Sequence, residues 1–439
     1  MTVATFPGRR PATALPLRFF VAAAVAYIGA AFGVAGLAPE LSGHYYHPRL
    51  LALTHTLTLG WITMTILGAS YQLVPVALER PMWSERLARW QFVIFLVGVV
   101  GMVAHFFIGE RSGLAWAAGL VGIACGAHVL NVALSVRGLS RWSFTARLVI
   151  LALAGLAATA LLGLALALGK LWPFMPSTLF ASLHAHLHLA LLGWVAPMII
   201  GVGARVYPMF LLAREPQGWP AAVQLWGIVV GAPAIVVGLL VDSGIVLVAG
   251  ALCATAAGAG HLVWLLDIMR TRKRRQLDWG LRFVLTAAAF LPLAMLMGLG
   301  FALDVLRGPR LGLAYAVVVM GGWVSLTIVG MTLKIVPFLV WYRVYALLAG
   351  RQPVPSLAEL SFPLAERAAY GLLTGGTVAL VVAALVGDAA WIRAAGLVLG
   401  AGALAFAVAL GSPLALLARR TAAPRAGDHV GVPGKQRSA

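Results

Sequence analysis

Acidic residues and cysteine are scarce in this chain, and each scarcity excludes chemistry. Only 13 Asp and Glu occur among 439 residues, and no pair of them falls within a long apolar run. An ion-coupled pump would therefore lack its usual intramembrane carboxylate relay. Two cysteines, Cys125 and Cys253, are too few for an iron–sulfur cluster. Both sit inside apolar runs where a structural disulfide is not expected. No CxxCH is present, which excludes a covalent c-type haem. Phosphate-binding loop, nucleophile elbow and HExxH are all missing.

What the chain has in excess is apolar length. Hydrophobic residues make up 62% and charged residues 10%, far from the soluble norm. Apolar runs of about twenty residues, each able to cross about 30 Å of hydrocarbon, recur almost throughout. Twelve are predicted, centred near residues 28, 62, 99, 124, 157, 194, 231, 257, 291, 325, 378 and 405. Backbone polar groups in lipid must be satisfied within the span, so these runs predict an all-α integral membrane protein in contact with membrane lipid.

The formal charge of +19 fits the same reading. With both termini cytoplasmic, outside loops hold six of the 32 Lys and Arg: Arg49, Arg111, Lys170, Arg307, Arg310 and Arg393. That asymmetry follows the positive-inside rule and predicts a multi-pass protein of a bacterial inner membrane. The run Arg270 to Arg275 is then a topology anchor beside anionic lipid, and no nucleic-acid partner is expected. Residues 1–14 read as a cytoplasmic lead without a cleavage site, and 421–439 as a disordered basic tail.

One segment is written three times. HTLTLGWITMTILGASYQLVP runs from His55 to Pro75, HLALLGWVAPMIIGVGARVYP from His188 to Pro208, and VVVMGGWVSLTIVGMTLKIVP from Val317 to Pro337. Trp61, Trp194 and Trp323 lie 133 and 129 residues apart, and His128 and His261 echo the period at 133. This predicts a single membrane domain over 15–420, built from parallel four-helix repeats 15–145, 146–280 and 281–420 about a pseudo-threefold axis. Three residues before each closing Pro stand Gln72, Arg205 and Lys334, expected to snorkel toward headgroups at the inner helix ends.

Imidazoles survive in two copies only, at His55 and His188, and the second copy adds His184 and His186. At 100° per residue His184 and His188 share a helix face, while His186 points to roughly the opposite side. Polar groups in the membrane interior are costly, and neutral imidazole is a good ligand for haem iron or copper. His44 and His47 belong to an interfacial loop on the same outer side, as does His105. His128 and His261 lie toward the other face and are weaker candidates.

The HxH pair His186–His188 with its following Leu-Leu-Gly-Trp, and His55-Thr56 with GASYQLVP from Gly68 to Pro75, resemble subunit I of the haem–copper oxidase superfamily. The likeness is to the C-family cytochrome oxidases, the bacterial nitric oxide reductases and the nitric-oxide-responsive membrane haem–copper (NnrS) proteins. It implies twelve helices in three arcs and a low-spin haem b held by His55 and His188. By the same resemblance, His186, with His184, His47 or His44, would serve a second haem b or a copper ion. Here the HxH stands on the sixth run, and the seventh run carries no His-His pair, so the usual binuclear-centre ligands are missing. The expectation is electron transfer or nitric oxide handling, with a periplasmic electron donor or other respiratory subunits as partners. Two competing readings are a haem-free transporter or copper-handling permease, and a structural membrane subunit with vestigial histidines. No feature of the sequence specifies an oligomeric state.

Overall fold

The computed structural model describes residues 13–78 and 80–422, so the expected lead and tail lie almost wholly outside the described residues. Among these there is no strand, and twelve helices are long and apolar enough to cross a membrane. The spans, numbered in chain order, are Ala14–Gly36, Pro48–Val76, Glu85–Ile108, Arg111–Ser135, Phe144–Gly169, Leu179–Leu211, Trp219–Leu240, Gly244–Thr271, Trp279–Ala302, Pro309–Tyr345, Pro363–Val386 and Ala389–Leu417. Each contains one of the twelve centres expected from the sequence. Large apolar side chains face outward: Ile245 is 86% exposed and Trp116 80%. Such an exterior needs lipid, and the chain is a multi-pass membrane protein.

Local chemistry starts and stops these helices. Ser84, Ser143, Thr178 and Asp278 each accept a backbone N–H of the first turn, at 3.1–3.2 Å, opening the third, fifth, sixth and ninth spans. Gly109 and Gly387, both at φ 75°, close the third and eleventh in the left-handed conformation that glycine adopts without strain.

The second, sixth and tenth spans carry the repeated motif, and each widens into π-helix at the same place. The π segments are Thr56–Thr63, Leu189–Val195 and Val317–Ser325. Two begin immediately after His55 and His188, and the third begins at Val317, which stands where the histidine would. In each copy the glycine before Trp packs on an earlier span. A Cβ on Gly60 would stand 2.9 Å from Ala26, one on Gly193 3.3 Å from the Gly155 Cα, and one on Gly322 2.5 Å from Phe290. This close approach explains why Gly-Trp recurs: glycine lets the backbones meet, and Trp61 and Trp194 fill the interior, at 0% and 1% exposure.

The polar residues before each closing Pro do not behave alike. Gln72 is buried, Arg205 pairs with Glu215, and the Lys334 ammonium is held by Asp278 over the Phe210 ring. Lys334 is thus an internal ion pair rather than a headgroup anchor, because the cap of the ninth span supplies a carboxylate within its reach.

Candidate functional site

Spans two to six, with Met320 of the tenth, line a partly open cavity of about 140 Å³. Tyr46, Phe106, Leu114, Lys170 and Leu179 line it near helix ends that chain alternation places on one side of the bundle. Thr63, Cys125, Leu156 and Trp194 line it near the middle of their spans. The cavity therefore runs from one face toward the centre, and most of its wall is Leu, Ala, Val, Met and Phe.

Two imidazoles reach this cavity, His55 from the second span and His186 from the sixth. His55 Nδ1 lies 2.7 Å from the Leu51 carbonyl, which only accepts, so Nδ1 carries the proton and Nε2 keeps its lone pair. Its ring stacks on Phe106 at 4.8 Å. A ligand histidine is typically fixed by such a bond at its second nitrogen. His186 is held differently. A Cβ on Gly163 would come within 2.8 Å of its Cε1, so the fifth span accommodates the ring only because position 163 has no side chain. His186 Nδ1 is buried without a hydrogen-bond partner, the Thr159 backbone lying nearby but outside bonding geometry. Thr159 Oγ1 and Trp194 Nε1, on the same cavity wall, are also buried and unpartnered. Three unsatisfied polar atoms on one wall are uncommon in a folded interior.

His188 does not line the cavity. It lies one turn beyond His184, and its Nδ1 donates to the His184 carbonyl at 2.8 Å. The cavity thus brings His55 together with His186, whereas the repeat pairs His55 with His188. The residues expected beside His186 around a second haem or metal lie elsewhere. His184 Nε2 lies 3.4 Å from the Tyr45 hydroxyl, and His44 stacks on the Tyr45 ring at 4.8 Å. Burial raises the Tyr45 phenol above its ordinary pKa. His47 accepts the Arg49 amide and opens the second span. None of these three lines the cavity, and among the described residues no group of three or more His, Cys, Asp or Glu is placed to hold a metal ion.

The weaker candidates have local partners. His105 Nδ1 donates to the Gly101 carbonyl at 2.6 Å, and its Nε2 faces Glu110 at 4.0 Å. His261 pairs with Gln224 at 3.1 Å, and His128 with Ser70 at 3.3 Å. Sequence reasoning missed Gly163, Thr159, Met102 and Met320 as cavity residues, since small, hydroxyl and thioether side chains in apolar runs carry no periodic signal. Lys170 and Tyr46 were visible only as loop residues; in the structure the Lys170 ammonium donates to the Tyr46 hydroxyl at 2.6 Å on the cavity wall.

No protein-family model matches this chain, and neither does any curated protein. The class is therefore defined by fold and site alone: a twelve-span membrane protein with a deep, histidine-bearing cavity.

Proposed function

We propose that the cavity holds a haem b and that the protein serves electron transfer, or nitric oxide handling, in a bacterial inner membrane. The observation that carries this reading is the meeting of His55 and His186, from two motif-bearing spans, on one apolar cavity. Its supports are the preset Nε2 of His55, the unpartnered Nδ1 of His186 and the space left by Gly163. Two protein imidazoles on a largely apolar wall suit an iron whose remaining ligands come from a macrocycle. Lys170, the one charged residue on the wall, offers a cation to an anionic edge of such a group. When bound, the haem would supply one-electron chemistry. Ligation by both imidazoles leaves no open iron position and favours electron transfer, while ligation by one leaves room for a diatomic gas. On this reading the units 15–145, 146–280 and 281–420 form arcs about a pseudo-threefold axis. The positively charged ends face the cytoplasm, and the cavity opens toward a periplasmic electron donor or partner subunit.

A second reading has its own observation. Met102, Met320 and Cys125 share the cavity with the imidazoles, and soft sulfur donors suit Cu(I). A copper-handling permease would use them without haem. The deciding experiment is reduced-minus-oxidised spectroscopy with metal analysis on protein purified from haem-supplied cells. A Soret band with split α and β bands and iron near one per chain is expected. Colourless protein that retains copper would replace the haem reading with the permease.

A further inference from the structure

The segment joining the first two spans lies at the cavity mouth and keeps most of its bonds to itself. It follows the short helix Ala38–Leu41 and runs from Ser42 to His47 (SGHYYH) without regular structure. Its two ends are drawn together at the base. Arg49, in the first turn of the second span, pairs with Glu40 at 3.2 Å, and the Arg49 amide donates to His47 Nδ1 at 3.3 Å. At the other end Ser42 Oγ donates to the Pro39 carbonyl at 2.8 Å, and the Gly43 amide to the Glu40 carbonyl at 3.1 Å. The middle satisfies itself too. The Tyr46 amide donates to His44 Nδ1 at 3.1 Å, and the His44 and Tyr45 rings stack at 4.8 Å. All of these contacts join residues 39–49 to one another, so none of them must break for the segment to lift.

Contacts of a different kind hold it down. The Lys170 ammonium, at the end of the fifth span, donates to the Tyr46 hydroxyl at 2.6 Å, and Tyr46 is the residue of this segment that lines the cavity. The Tyr45 hydroxyl lies 3.4 Å from His184 Nε2, at the weak limit of hydrogen bonding. Phe180, at the start of the sixth span, meets the Tyr45 and Tyr46 rings edge-on at 6.0 and 5.7 Å. Tyr45 and Phe180 remain 42% and 40% exposed, so these ring contacts bury little surface. One charge-assisted bond and a few half-exposed aromatic contacts are a small set to break, and breaking them returns the ammonium to water. Phe106, Leu114, Lys170 and Leu179 line the same end of the cavity, so withdrawing Tyr46 removes one side of its mouth.

We propose that residues 42–47 form a hinged strap over the cavity mouth, with the bond between Lys170 and the Tyr46 hydroxyl as its latch. Closed, the strap holds Tyr46 in the wall. Lifted, it opens a way for water-soluble molecules between the aqueous face and the cavity, and it frees the Lys170 ammonium. The proposal stands whether or not a haem fills the cavity.

The test uses the full-length protein in lipid nanodiscs, prepared without added haem and carrying Cys125→Ser with Ala118→Cys. Ala118 lines the cavity and is 4% exposed, so a thiol at position 118 reports access through the mouth. Native Cys253, on the eighth span and outside the cavity lining, is the internal reference. Modification by cationic and by anionic methanethiosulfonate reagents is followed at both positions by peptide mass spectrometry. Tyr46→Phe removes the hydroxyl and keeps the ring and every charge. It should speed modification at position 118 by about tenfold with both reagents, the scale of one charge-assisted hydrogen bond. Lys170→Met should also quicken both, and the double variant should be no faster than either alone, because the two residues share one bond. Lys170→Arg, which still donates, should stay near the parent rate. An unchanged rate at position 118 in Tyr46→Phe overturns the proposal, as does an equal gain at Cys253, which would mean general loosening. A Lys170→Met effect that quickens the cationic reagent and slows the anionic one also overturns it, since that is electrostatics without opening.

Discussion

The indole N–H of Trp61 donates to the Ser325 hydroxyl at 3.2 Å, tying the second span to the tenth, whereas its counterpart Trp194 has no partner. Ser325 stands two residues after Trp323, and the position two after Trp61 is Thr63, which lines the cavity with Trp194. The junction between third and first motif copies is closed by a hydrogen bond. Between the first and second copies the cavity occupies that place. Trp61→Phe should therefore leave the buried Ser325 oxygen without its donor and cost about 1–3 kcal/mol. Trp194→Phe loses comparable packing but no hydrogen bond, and should cost less by about that amount. Thermal unfolding of both variants in detergent checks the contrast, and equal losses would refute it.

Cavity geometry selects among the histidines. His55→Ala and His186→Ala should each abolish the low-spin α and β bands, while His188→Ala should retain them, because His188 is not among the residues lining the cavity. Optical spectra of the three purified variants decide this. Loss with His188→Ala and retention with His186→Ala would restore the pairing that the repeat suggests.

Gly163→Ala should weaken haem binding by about tenfold, or about 1.4 kcal/mol, since the new methyl would stand 2.8 Å from His186 Cε1 and the ring must shift. Gly122→Ala, a control on the fourth span where a Cβ meets nothing within 4 Å, should leave binding unchanged. Haem titration of the apoprotein followed at the Soret band gives both values.

Acid should loosen the start of the fourth span first. The Glu110 carboxylate accepts the amides of Gly113 and Ser112, and these bonds hold its pKa below the ordinary value. A depressed carboxylate contributes stability that is complete above its unfolded pKa and lost as pH falls through the folded one. Protection of the Ser112 and Gly113 amides, measured against their intrinsic exchange rates, should be high at neutral pH and fall below the usual carboxylate range. Glu110→Gln should show that reduced protection already at neutral pH.

Much of the fold was legible because membrane spans are written locally. About twenty consecutive apolar residues suffice to specify a helix in lipid, so all twelve centres fell within observed spans. The Gly-Trp-Pro repeat likewise marked the three helices that share a π segment and a close glycine contact. The candidate site was legible only in part. His55, His184, His186 and His188 stood out as polar groups in apolar runs, but which of them meet was not written in their spacing.

Sequence alone settled the lipid-embedded class and the helix count, since each span satisfies its own backbone without help from distant residues. Tertiary packing decided the rest. Gly163 on one span makes room for His186 on another, and the Tyr71 hydroxyl, rather than His128, takes the Gln91 side-chain oxygen. Contacts of this kind join residues tens of positions apart, through volume and hydrogen-bond competition that no local pattern encodes.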